Sequence, residues 1–293
     1  MKHKRTLKNN KKRNKTFKKL KCSTNESENE FSCFSNKSIF RLKSLWNARH
    51  KDQLIKTNNV YEIWQYLKNK MDNVCNNEKC WLEQQFSKNK IDSEINDNTF
   101  APFAPKSWNK NPNEWLSSID IMNVMKQYEN KYKCFEFIGP SPIDFDEHIL
   151  YGQCVWEELC NFNIINYINK NKTKIGIIFN LDPHYKSGSH WVSLFINLKK
   201  NIIFYFDSVG EKIPLQIKKL VNRIIKQCNK NNISIEFDEN YPFQHQQGPS
   251  ECGIYSLFFI TEMLKDKKTI KDFKTKKYSD EQMSNFRKIY FNH

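Results

Sequence analysis

The sequence predicts an α+β protein preceded by a helical arm, and three observations carry that reading. Strand-like and helix-like runs interleave through residues 113–293 without a regular βα repeat, which argues against a doubly wound sheet. Residues 253–264 are apolar nearly all round, as a helix buried on every side must be. Between the arm and this region, residues 92–113 hold Asn-Asp-Asn, three prolines (Pro102, Pro105, Pro112) and scattered polar residues, the composition of a linker.

In chain order, residues 1–37 open as a tail. Eleven of the 48 Lys/Arg lie in residues 1–21 and no Asp or Glu does, so the net charge of +16 falls to +5 on the remainder. So basic and apolar-poor a segment cannot bury enough surface to offset its ordering entropy, and disorder is expected. Such a tail either solubilises the chain, contacts nucleic acid or another polyanion, or addresses it to the nucleus. Residues 38–112 read as a helical arm and linker. Val60, Ile63, Trp64 and Leu67 form one stripe at i, i+3, i+4 and i+7, and Trp81, Leu82 and Phe86 suggest a second short helix.

Within residues 113–293, Ser117 or Ser118 can cap a helix to about Tyr132 that carries Ile121, Met122 and Met125. Residues 135–138 read as a short strand before Gly139-Pro140, and residues 155–162 as a helix. Three β-rich runs follow at 174–181, 190–198 and 201–207. Leu215, Ile217, Leu220, Val221, Ile224 and Ile225 mark a helix with a basic outer face. Residues 233–237 predict a further strand, and Ser279-Asp-Glu-Gln282 a capping box for a final helix.

Composition excludes several classes. With 38% hydrophobic and 14% aromatic residues the chain can fill a core. No apolar run reaches the roughly 18 residues of a membrane helix, so no membrane insertion is expected. The basic N-terminus lacks an apolar segment of the secretory type, and nine cysteines without that route are expected to be reduced thiols. No internal repeat is evident.

The chemistry concentrates in three places. Cys252 follows a polar loop containing Gly248-Pro249 and opens the buried helix. A thiol at a helix N-terminus faces the positive end of the dipole, which favours thiolate. Gly253 then gives the backbone room for close approach of a substrate. His190 starts a strand after a Gly-Ser turn, and the next strand ends at Asp207. A hairpin between them puts Asp207 opposite His190 or within two residues of it, where a carboxylate can hold one ring nitrogen while the other meets a nucleophile. Gln246 or Gln247, just upstream of Cys252, can supply a side-chain amide to an oxyanion beside the Cys252 backbone N–H. The pairs Cys75/Cys80 and Cys154/Cys160 lack a neighbouring His in the sequence, so no metal is expected.

The order His190-Trp191, Asp207-Ser208, Gln246, Cys252-Gly253 resembles the ubiquitin-like-protein protease and adenovirus protease (adenain) superfamily of cysteine peptidases. That superfamily usually has its Gln six residues before its Cys, which selects Gln246, and commonly has Asp-Cys-Gly where Glu251-Cys252-Gly253 stands. Glu114-Trp115-Leu116-Ser117 is similar to the superfamily's Trp-Leu-Asn/Ser-Asp segment. The resemblance spans residues 113–265 and implies an adenain-like fold, with a central mixed β-sheet flanked by helices. It implies His190, Asp207, Gln246 and Cys252 as catalytic residues, with no cofactor. It also implies Trp115 and Trp191 as the walls of a narrow tunnel that suits glycine; as plain residues, both indoles could equally belong to the core.

The basic N-terminus and arm look most like the virion-maturation proteases of large nucleocytoplasmic DNA viruses. The resemblance therefore implies a thiol endopeptidase cutting viral structural or core polyproteins after Gly-Gly or Ala-Gly. It would act in the host cytoplasm, at the virus factory, and in the virion, with the nucleus as an alternative site. Rival readings are a deubiquitinase or deSUMOylase acting on host conjugates, a protein acyltransferase built on the same residues, and a non-enzymatic, DNA-associated virion protein.

Overall fold

Five strands lie in one sheet in chain order, β1 (Phe135–Pro142), β2 (Lys174–Asn180), β3 (Trp191–Asn197), β4 (Ile202–Phe206) and β5 (Glu236–Glu239). β1–β2 and β4–β5 are parallel, and the two central pairings are antiparallel, so the sheet is mixed. This computed structural model describes residues 16–84, 87 and 99–293. The chain divides into two units, Met1–Ala101 and Pro102–His293.

In the C-terminal unit the sheet is covered on both faces. Side chains alternate along each strand with period two. Val192, Leu194 and Ile196 of β3 and Ile203 and Tyr205 of β4 join one apolar cluster; Phe195, Phe204 and Phe206 join the other. The first cluster is completed by Ile217, Leu220, Val221 and Ile224 of a helix at Leu215–Lys230. The second holds the helix Cys252–Leu264, in which every residue but Glu262 is buried. Ile260 of that helix lies so close over Gly176 that a Cβ there would meet its methyl groups at 2.9–3.0 Å. Numbered in chain order, the helices of this unit are α4 (Ser118–Lys131), α5 (Glu157–Cys160), α6 (Ile164–Asn169), α7 (Leu215–Lys230), α8 (Cys252–Leu264), α9 (Ile270–Thr275) and α10 (Asp280–Tyr290). Ser117 caps α4 in a capping box with Asp120, and Ser279 caps α10 with Gln282.

The N-terminal unit contains α1 (Asn36–Arg49), α2 (Val60–Met71) and α3 (Lys79–Leu82), capped in the first two cases by Ser35 and Asn59. Phe34, Ile63, Leu67 and Trp81 are at its core. Glu78 is buried there and accepts from Trp64 Nε1 at 2.6 Å and from the Cys33 backbone N–H at 3.2 Å. Among the described residues no helix is long and apolar enough to cross a membrane.

Several expectations need correction. From residue 16 onward the segment read as a disordered tail is packed: Leu20 and Phe34 are buried, Cys22 is bonded to Cys33, and Lys21 O accepts from the Ala101 N–H at 2.9 Å. Residues 1–15, and Phe86 of the second predicted arm helix, lie outside the described residues. The unit boundary falls before Pro102 rather than after Pro112, because this stretch belongs to the C-terminal unit. Ala104 N–H donates to Asn292 O and Asn292 N–H to Pro102 O, both at 2.7 Å, and Trp108 packs edge-on against Phe291. Six of the nine cysteines are paired, as Cys22–Cys33, Cys75–Cys80 and Cys154–Cys160, where reduced thiols were expected. β5 begins at Glu236, later than predicted, because Ile233 N–H still donates to Cys228 O and closes the end of α7. The helix predicted over 155–162 is cut to α5, with α6 following separately.

Candidate active site

The hairpin β3–β4 builds one half of the site. Ser193 pairs with Phe206, which carries Asp207 to within two residues of the position opposite His190. His190 Nε2–H donates to Asp207 Oδ1 at 2.7 Å. The His190 backbone is fixed in turn, its carbonyl accepting from Leu181 N–H at 2.9 Å. Asp207 is buried, and its backbone is clamped by one side chain. Asn240 Oδ1 accepts from its N–H at 2.8 Å, and Asn240 Nδ2 donates to its carbonyl at 2.7 Å. Asp207 Oδ1 also accepts from Val209 N–H at 3.0 Å, in a turn that Gly210 closes with φ +76°. A Cβ on Gly210 would lie 2.9 Å from the backbone of Phe243 and Gln244.

Cys252, at the first turn of α8, is the second half. The ring of His190 is coupled electrostatically to the Cys252 sulfur as well as to Asp207. Because Nε2 is held by the carboxylate, Nδ1 is the nitrogen left to face the thiol. Burial disfavours the imidazolium, but the hydrogen bond to Asp207 and the electrostatic interactions with Asp207 and Cys252 outweigh it and hold the His190 pKa up at about 10. The arrangement therefore favours the imidazolium form of His190, on the ring that faces Cys252. Cys252 itself is only 1% exposed, while the His190 side chain is 17% exposed. A second His–Asp pair, His184 Nδ1 to Asp144 Oδ2 at 2.7 Å, borders the cleft that Trp115 and Trp191 line, but it is the His190 ring that is coupled to Cys252.

The loop before α8 is tied to the Asp207 turn. Ser208 O accepts from both His245 and Gln246 N–H at 2.8 Å, and Ser208 Oγ donates to Gln246 Oε1 at 2.7 Å. Gln246 is buried and spends one Nε2 hydrogen on Gly248 O at 2.6 Å. Gln247 is exposed, and its backbone N–H instead donates to Asp280 at 3.1 Å. Asp280 also accepts from Gly248 N–H at 2.7 Å and from Tyr255 Oη at 2.9 Å, so the start of α10 holds the loop in place. His245, wholly buried, donates from Nε2 to Phe273 O at 2.9 Å and accepts at Nδ1 from Tyr278 N–H at 3.3 Å. Burial pushes its pKa down to about 4, so it is neutral and structural.

Trp115 and Trp191 both line a cleft of about 660 Å³, together with Pro140, Val155, Trp156 and Gly188 among others. Trp191 is nearly buried, its Nε1 donating to Leu116 O at 3.0 Å; Trp115 is 42% exposed. Leu116 occupies the room that Gly253 leaves, since a Cβ on Gly253 would lie 3.0 Å from Leu116 Cβ. Gly253 thus seats the Trp115–Leu116 segment on α8, rather than making room for a substrate as the sequence suggested. Arg287 of α10 joins the same parts: Nη1 donates to Glu114 O at 2.8 Å and Nη2 to Glu251 at 3.2 Å, with the guanidinium 4.4 Å over the Trp108 ring. Burial pushes the Glu251 carboxyl up, and Arg287 opposes that shift. The supporting roles of Arg287, Ser208, Asn240 and Asp280 are not visible in the sequence, because their partners lie far away along the chain.

A mixed sheet with a thiol, an imidazole and a carboxylate so arranged defines a cysteine peptidase. Residues 124–293 match the Ulp1 protease family, C-terminal catalytic domain, and the chain belongs to that family. The chain is 30% identical, over 81% of its length and 76% of the relative's, to a putative thiol protease of Acanthamoeba polyphaga mimivirus. It is 26% identical, over 60% of its length and 67% of the relative's, to proteins of African swine fever virus. These are described as a cysteine protease or a SUMO-1 cysteine protease. The crystal structure of a protease of that virus superposes with a TM-score of 0.63 at 20% identity, over 93% of this chain and 95% of that one, which establishes the shared fold. The protein is thus a cysteine-type peptidase, as its viral relatives are.

Proposed function

We propose that Cys252 is the nucleophile of a thiol endopeptidase that cuts after Gly, at Gly-Gly-X or Ala-Gly-X sites of viral structural or core polyproteins, during virion maturation. The observation that carries the mechanism is His190 held between Asp207, at 2.7 Å, and the Cys252 sulfur. The proton of Cys252 rests on His190, and Asp207 orients and stabilises the imidazolium. The thiolate attacks the carbonyl carbon. The oxyanion is met by the remaining Nε2 hydrogen of Gln246 and by the Cys252 backbone N–H, which at the start of α8 has no acceptor within the helix. His190 gives its proton to the leaving amine. A thioester remains, and water attacks it with His190 as base, restoring the thiol.

Glycine before the scissile bond is supported by access. Cys252 is 1% exposed, and the cleft that two indoles border reaches towards it through Leu116, which packs on Gly253, so a backbone lacking side chains reaches it best. A viral role is supported by the relatives, which are described as thiol or cysteine proteases of viruses; on this reading the enzyme acts on viral polyproteins in the host cytoplasm and the virion. The eleven basic residues of 1–21 support contact with DNA or another polyanion as an accessory activity. A second reading, cleavage of ubiquitin-like conjugates, is favoured by the SUMO-1 protease description of the swine fever virus relative. Both substrates present glycine before the scissile bond, so parallel assays decide: a short Gly-Gly-X peptide against ubiquitin and SUMO fluorophore conjugates. Turnover of the peptide with no turnover of either conjugate supports the first reading; the converse overturns it.

A further inference from the structure

Residues 147–155 form a small hairpin, closed by Val155 N–H to Glu147 O at 2.9 Å and Ile149 N–H to Gln153 O at 2.8 Å. His148 and Cys154 face each other across it as an antiparallel bridge. The second arm runs on into α5, whose last residue, Cys160, is bonded to Cys154. His148 Nε2 lies 3.8 Å from Cys154 Sγ, and the His148, Cys154 and Cys160 ligand atoms all fall within 4.8 Å of one another. The expectation that no histidine neighbours these cysteines is thereby corrected: His148 stands six residues before Cys154, and the hairpin turns it onto the pair.

We propose that, once the Cys154–Cys160 disulfide is reduced, Cys154, Cys160 and His148 bind a thiophilic divalent cation of the Zn²⁺ type. With Zn–N about 2.0–2.1 Å and Zn–S about 2.3 Å, a nitrogen and a sulfur on one tetrahedral ion stand roughly 3.6 Å apart, and two sulfurs roughly 3.8 Å. The His148–Cys154 spacing of 3.8 Å is already close to the first value. The second requires the sulfurs to part, which reduction permits. A dithiol reductant transfers two electrons and two protons to the disulfide, giving two thiols and its own disulfide. The cation then displaces both thiol protons to solvent, and neutral His148 supplies its lone pair. Two thiolates and an imidazole select Zn²⁺ or Co²⁺ over Mg²⁺ and Ca²⁺. The fourth corner is left to water, on a side where His148 is exposed. A small-molecule disulfide closes the site again: it takes two electrons from the two thiolates and, with two protons from solvent, leaves as two thiols, the sulfur ligands bond to each other, and the cation is released. Its state bears on the enzyme because Val155 and Trp156, between the two cysteines, line the cleft.

The test is Co²⁺ titration of the reduced full-length chain carrying Cys252→Ser, so that the thiol beside His190 does not contribute. Thiolate-to-cobalt charge transfer and tetrahedral d–d bands are followed, and Zn²⁺ should displace them. The double variant Cys154→Ser/Cys160→Ser on that background should bind one equivalent fewer. His148→Ala, which keeps the cysteines and so guards against misfolding of the double variant, should bind at that site at least ten-fold more weakly. Equal stoichiometry with and without Cys154 and Cys160, unchanged affinity in His148→Ala, or no band in the reduced parent would overturn the proposal.

Discussion

The guanidinium of Arg287 lies 3.2 Å from the carboxylate of Glu251, the residue before Cys252, and both side chains are almost wholly buried. The same guanidinium holds the carbonyl of Glu114, next to Trp115. One side chain of the last helix thus connects the start of α8 to the wall of the cleft.

Removing one partner of this pair strands the other charge in the interior. Arg287→Met should cost about 3–5 kcal/mol of stability. Arg287→Met/Glu251→Gln should recover most of it, because the stranded charge is gone. Urea unfolding of both variants checks this; an Arg287→Met protein as stable as the parent contradicts the arrangement.

The pH dependence follows from two histidines shifted in opposite directions. His190, raised to about 10, contributes stability that is complete below its unfolded value near 6.5 and is lost as pH rises through 10. His245, lowered to about 4, makes the fold less stable as pH falls from about 6.5 towards 4, where only the unfolded chain takes up its proton. In imidazole NMR titrations, the His245 ring should stay neutral at pH 5.5 and the His190 ring should stay charged at pH 8. The reverse order contradicts the assignments.

Asp207→Asn keeps an acceptor for Nε2–H but removes the charge. It should lower kcat/KM by about 10- to 100-fold, less than the roughly 10⁴ known where the change disturbs the tautomer, and move the alkaline limb of the profile to lower pH. An alkaline limb that stays in place would show that the carboxylate does not hold the proton on His190.

Trp115 is exposed where Trp191 is not. Trp115→Ala should widen the cleft and let residues larger than Gly and Ala precede the scissile bond, read as relative kcat/KM across a peptide set. An unchanged profile returns Trp115 to a packing role.

Leu20 is buried, so the basic segment is best removed at residues 1–15, which hold eight Lys/Arg and leave the packed part intact. That truncation should reduce the slope of log K for DNA against log salt by up to about seven. An unchanged slope places DNA contact elsewhere or nowhere.

What the sequence made legible was local. The period-3.6 stripe of α7, the capping serines of α4 and α10, and the two-residue register that pairs Asp207 with His190 all follow from near neighbours. The supports of the site were not legible, because they join distant positions. Ser208 reaches Gln246 over 38 residues and Arg287 reaches Glu114 over 173. Nothing in a run of Lys and Asn shows that residues around Leu20 pack; the Cys22–Cys33 pairing and the burial of Leu20 show it in three dimensions. Likewise Gly253 announces a close approach but not what approaches, which is Leu116.

The central claim is that Cys252, though nearly buried, is activated by His190 and reachable by a glycine-terminated chain. Incubation at pH 6.5 with a Gly-Gly vinyl sulfone probe, followed by peptide mass spectrometry, measures this directly. The account predicts one adduct, on Cys252, at least a hundred-fold slower in His190→Ala and absent from the free thiols Cys134 and Cys228. Labelling of Cys134 or Cys228 in place of Cys252, or labelling of Cys252 at the same rate without His190, would contradict it.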